Sequence, residues 1–253
     1  MVAGGGIWAK IHKWLALLMA IQILFWMASG LFFAAVPIER VRSEHAIAEA
    51  APIALADAAA GLQRLAASGA ATGEKVELRM LAGRPAALIT AKGARPRLYD
   101  LATAQPLSPI PMTHAARIAE ADLEGDARAV RVERVTQAST EYRGALPAWR
   151  VDFEGETSRS LYVAADSGAV AARRSTLWRT YDFLWGLHIM DWRGREDYNS
   201  PLLIVASALA LILTITGIVI IPGRLGFTAW RRRRRAVRNR SQEAAAPPTS
   251  SRT

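Results

Sequence analysis

Residues 14–36 read WLALLMAIQILFWMASGLFFAAV: from Trp14 to Val36 there are 23 residues without a charge, interrupted only by Gln22 and Ser29. At about 1.5 Å of rise per residue, such a helix matches a hydrocarbon core of roughly 30 Å, so the run is read as a membrane span. A cleaved signal peptide would have an apolar region of only about 7–15 residues. Phe32-Phe33-Ala34-Ala35-Val36 is also a poor small-x-small cleavage site, so an uncleaved signal anchor is expected. Residues 202–221, LLIVASALALILTITGIVII, give a second uncharged run framed by Pro201 and Pro222. Its hydroxyls, on Ser207, Thr214 and Thr216, can donate to carbonyls of the preceding turn.

Lys10 and Lys13 precede the first run, and Arg231 to Arg235 follow the second. Basic residues are retained on the cytoplasmic side, which puts both termini inside and residues 37–200 on the outer face of the cytoplasmic membrane. The net charge of +10 belongs to these tails: two lysines precede the first span and nine arginines follow the second, while the middle carries 21 basic and 21 acidic residues. A neutral folded middle has no excess charge with which to neutralise phosphates, which excludes a nucleic-acid-binding role. The absence of cysteine excludes disulfides, thiolate metal sites, a cysteine nucleophile and CxxC redox chemistry, so any electron transfer needs a bound cofactor. Beyond Arg240 the Ser-, Ala- and Pro-rich tail is expected to be disordered.

Between the spans, Pro52 opens a segment with Leu55, Ala59, Leu62 and Ala66 on one helical face and Gly69 beyond its last turn. Three strands follow: alternation at Val76, Leu78 and Met80, then Pro85 to Ala91, then Leu98-Tyr99 before a turn-rich stretch. The order recurs with Thr113 as N-cap of a helix carrying Ala115, Ile118, Ala119 and Leu123. Val130 and Val132 come next, then Trp149, Val151 and Phe153, and finally Leu161-Tyr162, which turns at Asp166-Ser167-Gly168. Two copies of one α-β-β-β unit, with helices covering one face of antiparallel sheet, are expected.

The closing run from Leu161 to Val170, LYVAADSGAV, resembles the last strand and turn of a PepSY domain, with Ala164 where that family usually has Asp. Lys10-Ile-His12-Lys-Trp14 leading to Ala28-Ser29-Gly30-Leu31 resembles the first helix of PepSY-associated transmembrane proteins. Leu187-His188-Ile189-Met190-Asp191 before the second span, and Thr216-Gly217 within it, resemble another. The resemblance implies an α+β membrane protein with two transmembrane helices flanking an outer domain of two PepSY-like repeats. The expected segments are a cytoplasmic N-terminus at 1–13, spans at 14–36 and 201–222, repeats at 37–110 and 111–174, an interfacial aromatic helix and loop at 175–200, and a cytoplasmic arginine-rich tail at 223–253. Two function classes are implied. One is a haem-binding electron-transfer component related to ferric-chelate reductases, although those relatives usually carry four or more spans with several histidines. The other is a non-catalytic binding or regulatory module that engages a partner or restrains a peptidase.

Of four histidines, two stand where membrane chemistry can use them: His12 at the cytoplasmic mouth of the first helix and His188 at the outer mouth of the second. Imidazole is a common axial ligand, and two of them hold a low-spin, electron-transferring iron, so His12 and His188 are the candidate ligands of a haem b. Opposite mouths lie about 30 Å apart, so the two cannot share one iron; a symmetric homodimer would pair each with its own mate. The same residues also fit plainer roles. His12 can snorkel beside Lys10 and Lys13, and a helix over Ser175 to Met190 puts Trp178, Tyr181, Trp185 and His188 on one face, as in an aromatic belt among headgroups. His45 and His114 read as surface or capping residues without metal-ligand spacing. Asp191, Arg193, Arg195, Glu196 and Asp197 fit either a proton or substrate uptake cluster or a solvated loop, the latter being more common. No Ser/His/Asp set, phosphate loop or His-Glu-x-x-His helix is present. Small residues at Ala206, Ala210, Thr214 and Gly217 are expected to pack against another helix, either the first, through Ala16 and Ala20, or that of a second copy of the chain.

Overall fold

The computed structural model describes residues 4–70, 72–155, 158–225, 234 and 236–238. They fall into two units, one of residues 1–28 with 197–253 and the other of residues 29–196. The arginine run at 231–235 lies outside the described residues except for Arg234, as does the tail beyond Arg240.

The first apolar run lies in α1 (Gly4–Ala35), which continues back through Lys13, His12 and Lys10. The second lies in α6 (Pro201–Arg224), capped by the Ser200 hydroxyl, which accepts from the Leu203 N–H, and opened by Pro201, whose missing N–H costs nothing in a first turn. Both are long and apolar enough to cross a membrane: the most apolar 18-residue stretch has a mean hydropathy of 2.1 within Gly6–Ala35 and 2.8 within Pro201–Pro222. Thr214 donates to the Ala210 carbonyl and Thr216 to that of Leu213, the internal satisfaction that a hydrocarbon solvent demands. The buried face of α6 runs through Ala206, Leu213 and Thr216, with Thr214 exposed. Within the chain, then, Thr214 does not share the buried face of Ala206, and its hydroxyl turns onto its own backbone.

In the second unit the chain leaves α1 through a short helix α2 (Ile38–Val41) and a 3-10 turn (Glu44–Ala46). It then forms α3 (Leu55–Ala67), β1 (Lys75–Leu81), β2 (Arg84–Thr90) and β3 (Arg97–Asp100). After them come α4 (Met112–Ala121), β4 (Ala129–Val135), β5 (Ala148–Phe153), β6 (Ser160–Ala164), β7 (Val170–Arg174) and α5 (Thr176–His188). The strands make two antiparallel meanders, β1-β2-β3 and β4-β5-β6-β7.

Each sheet has a central strand buried on both faces. In β2, Ala86 and Leu88 join a core with Ile118 and Ala119 of α4 and with Val151, Leu161 and Val163 of the second sheet. Ala87 and Ile89 face the other way, toward Leu65 of α3, Tyr99 and Leu101. In β6, Leu161 and Val163 enter the shared core while Tyr162 packs with Tyr142, Ala148 and Ala172. Burial on both sides explains why β2 and β6 read as continuous apolar runs, and it revises the expected one-sided sheets.

Three local expectations are also corrected. The helix after Pro52 begins at Leu55, outside the proline's reach, and it packs through Gly61 and Leu65, leaving Leu55 86 % exposed. Gly61 decides the face, because a Cβ there would lie 2.1 Å from the Leu101 Cγ. Thr113 lies inside α4; the N-cap is Pro111, which offers no side-chain hydrogen bond. Finally, the chain adds β7 after the Asp166-Ser167-Gly168 turn, where Gly168 adopts φ +66°, so the second sheet has four strands where three were expected.

Candidate functional site

His12 is half-buried in the first unit, in α1, and its ring lies against α6. Its Nδ1 is 3.1 Å from the Leu213 carbonyl oxygen and 3.1 Å from the Thr216 Oγ1. Thr216 spends its own hydroxyl proton on the Leu213 carbonyl, at 2.9 Å. A carbonyl can only accept, so the Leu213 contact is a hydrogen bond only when Nδ1 carries a proton, which in the neutral ring leaves the lone pair on Nε2. Gly217 makes room for the ring: a Cβ on it would stand 3.1 Å from the His12 Cε1. The hydroxyl and the glycine of Thr216-Gly217 thus act on the same imidazole.

His188 ends α5 in the second unit. Its Nδ1 lies 2.7 Å from the Oγ of Ser29, a residue of α1 that is 1 % exposed. The walls are aromatic: the Phe33 ring stands edge-on at 5.6 Å and Trp185 stacks at 6.3 Å. Burial pushes the His188 imidazole below the ordinary histidine range, since a charged ring would lose hydration there. The expected aromatic face is present but its members divide. Tyr181, Trp185 and His188 pack on Phe33, while Trp178 lies under the Arg174 guanidinium, 3.9 Å from the ring centroid.

The α5 helix that carries His188 is tied down by charge at several points. Ser175 caps it by accepting from the Trp178 N–H. Arg179 donates to Glu141 (Nε to Oε1, 2.7 Å) and to the Ser160 hydroxyl at 3.0 Å, while Tyr162 donates its phenol proton to Glu141 at 3.0 Å. Burial opposes the Glu141 charge, yet hydrogen bonding and attraction from Arg179 win and hold its carboxyl below the usual range. Burial first, and then the Glu141 charge, push the Tyr162 phenol up to about 12. Asp182, 8 % exposed, pairs with Arg195. The 191–196 loop is built: Asp191 accepts from the Gly194 and Glu196 N–H groups, and Glu196 pairs with Arg143 at 2.9 Å. Arg195 and Glu196 of the expected charged cluster are thereby internal ties, and Asp197 accepts from the Asn199 N–H in the other unit.

His45 is exposed in the 3-10 turn, and His114 is half-buried in α4. Among the described residues no three His, Asp or Glu side chains cluster in a way that could hold a metal ion. Each of the two histidines has its own hydroxyl partner, His12 within the first unit and His188 within the second. In the sequence Ser29-Gly30 and Thr216-Gly217 stood out as carriers of the family resemblance, not as partners of the histidines, and the Glu141 cluster was missed altogether.

Comparison with known protein families matches residues 9–242 to the PepSY-associated TM region. The chain belongs to this family. The match takes in both long helices and everything between them, so this PepSY-associated protein carries its two histidines inside the region that defines it. No curated protein and no solved structure matches the chain.

Proposed function

We propose that this PepSY-associated protein is a haem-binding electron-transfer component of the cytoplasmic membrane that delivers electrons to a ferric chelate on the outer side. Its termini are cytoplasmic and residues 37–200 lie outside, as two PepSY-like repeats. The observation that carries the reading is that each histidine has Nδ1 engaged by a buried hydroxyl, the kind of contact that fixes ring orientation and tautomer in ligating imidazoles. The donor chemistry fits haem b, because at His12 a proton donated from Nδ1 to the Leu213 carbonyl leaves the lone pair on Nε2 and Gly217 leaves space for the ring. His12 and His188 would hold the group, each with its counterpart in a symmetric homodimer. Haem, when bound, supplies a one-electron iron couple. The protein's own residues orient the rings (Thr216, Leu213, Ser29) and keep water from His188 (Phe33, Trp185).

A second reading is a membrane-anchored binding or regulatory module. The packing of Tyr181, Trp185 and His188 on Phe33 favours it, since that packing accounts for the burial of His188 without any cofactor. The test is the reduced-minus-oxidised spectrum of protein produced with ample haem, beside His12→Ala and His188→Ala. A bis-imidazole signal that falls in each variant supports ligation. A colourless wild type rejects it and leaves the binding module.

A further inference from the structure

A shallow pocket open to water, about 490 Å³ with the adjoining solvent included, lies in the second unit where the first sheet meets α4. Its floor is apolar, made by Leu98, Ile110 and Ile118, and its rim carries Arg84, Arg117 and His114. No acidic side chain lines it. Among the described residues neither guanidinium has a carboxylate partner, although the other arginines of this domain are repeatedly paired, as in Arg173 with Asp122, Arg179 with Glu141 and Arg150 with Asp152. Two guanidiniums and an imidazole beside an apolar floor suit an anionic group attached to a small apolar body, and a carboxylate is the least bulky such group. The floor is firm. Ile110 and Ile118 belong to the shared core, and the Ile110 carbonyl accepts from the Trp149 indole N–H at 2.7 Å.

We propose that this pocket is a binding site for a small apolar carboxylate, either a free acid or the C-terminal carboxylate of a peptide ending in an aliphatic residue. The carboxylate is held by Arg84 and Arg117 at the rim, with His114 as a further donor, and the aliphatic group enters over Leu98, Ile110 and Ile118. The site is separate from His12 and His188 and does not depend on haem.

The test is calorimetric titration of the full-length protein in lipid nanodiscs with isovalerate and with isovaleramide, which has the same carbon skeleton but no charge. The acid should bind saturably and the amide at least about tenfold more weakly, the loss expected when charged hydrogen bonds are removed. Arg84→Gln combined with Arg117→Gln, both on exposed side chains, should bring the acid down to the amide's affinity without moving the melting temperature. N-acetylleucine binding at least as tightly as isovalerate identifies a peptide C-terminus as the natural source, and weaker binding identifies a free acid; either result supports the site. Equal binding of acid and amide, no binding of either, or an unchanged acid affinity in the double variant overturns it.

Discussion

His12 and His188 have the same ring nitrogen engaged, but the regions that hold them are built from different materials. His12 is set by α6 alone, through one carbonyl and one hydroxyl in an otherwise apolar helix pair. His188 is set by Ser29, by aromatic walls, and by a helix that ion pairs fasten at Asp182 and Arg179. Against the apolar face of α6 two short contacts, to one carbonyl and one hydroxyl, orient the His12 ring. At the edge of a folded domain water competes, and orientation is secured through the rigidity of the supporting helix. The first region should therefore respond only to changes at the contact itself, and the second to changes some distance from the ring.

The largest effect is expected from Arg195→Met. It leaves the buried Asp182 carboxylate without its cation, a loss of about 3 kcal/mol by the general behaviour of broken buried pairs. Thermal unfolding should shift down accordingly, and the ¹⁵N signal of His188 should broaden or move while that of His12 stays in place. With four histidines in the chain, histidine-selective labelling keeps the two readable. An unchanged His188 signal would mean that α5 is not what positions the ring. Glu141→Gln comes next, at about 1–2 kcal/mol, since the amide can still accept from Tyr162 but no longer offers a charge to Arg179. Because the Glu141 pKa is depressed in the folded state, its contribution is present above the ordinary carboxylate range and is lost as pH falls through the folded value. Wild type should lose stability in acid more steeply than Glu141→Gln, and parallel acid profiles would remove the network from the account.

How much of this was legible in the chain depended on what each residue had to decide. The two spans were readable because length and lack of charge leave a 23-residue run few alternatives. The strands of the first sheet were readable from alternation and from the apolar run of β2. The face of α3 was not, because alanines surround that helix and a single glycine, Gly61, determines the side of close approach to Leu101. The last strand, Val-Ala-Ala-Arg-Arg, carries almost no strand signal and buries only Ala172, so it depends on its pairing with β6. At the candidate site His12 stands directly before the first apolar run, as expected, but His188 does not sit at the mouth of the second: it ends a separate helix, α5, and meets Ser29 of α1. The hydroxyl partners of the two rings were not legible, because a Ser or Thr in such a run is already explained by its own helix backbone, and only the tertiary structure shows which also meets a ring.

That pairing gives a smaller and more pointed contrast. Thr216→Val removes the hydroxyl but keeps the Leu213 carbonyl, so His12 should retain its proton on Nδ1 and lose about 1 kcal/mol of fixation. Ser29→Ala removes a hydroxyl able to donate or accept, so the balance between the two neutral forms of His188 should change. Nitrogen chemical shifts report the tautomer directly. A switch at His12 in Thr216→Val would show that the hydroxyl, and not the carbonyl, sets that ring.

The smallest effect is one of pH. Burial lowers the His188 pKa in the folded state, so the unfolded chain takes up the proton first. The sign follows from linkage: above the ordinary histidine value of about 6.5 both states are neutral and the residue has no effect on pH dependence. As pH falls from there toward the folded value, the unfolded state gains the proton and stability declines; below the folded value both states are charged and the decline stops. His188→Gln, neutral throughout, should flatten that part of the stability profile while leaving the plateau above neutral pH offset by a constant. Equal slopes in wild type and variant across this window would show that the ring is better hydrated than its aromatic walls imply, and would weaken the contrast drawn between the two histidines.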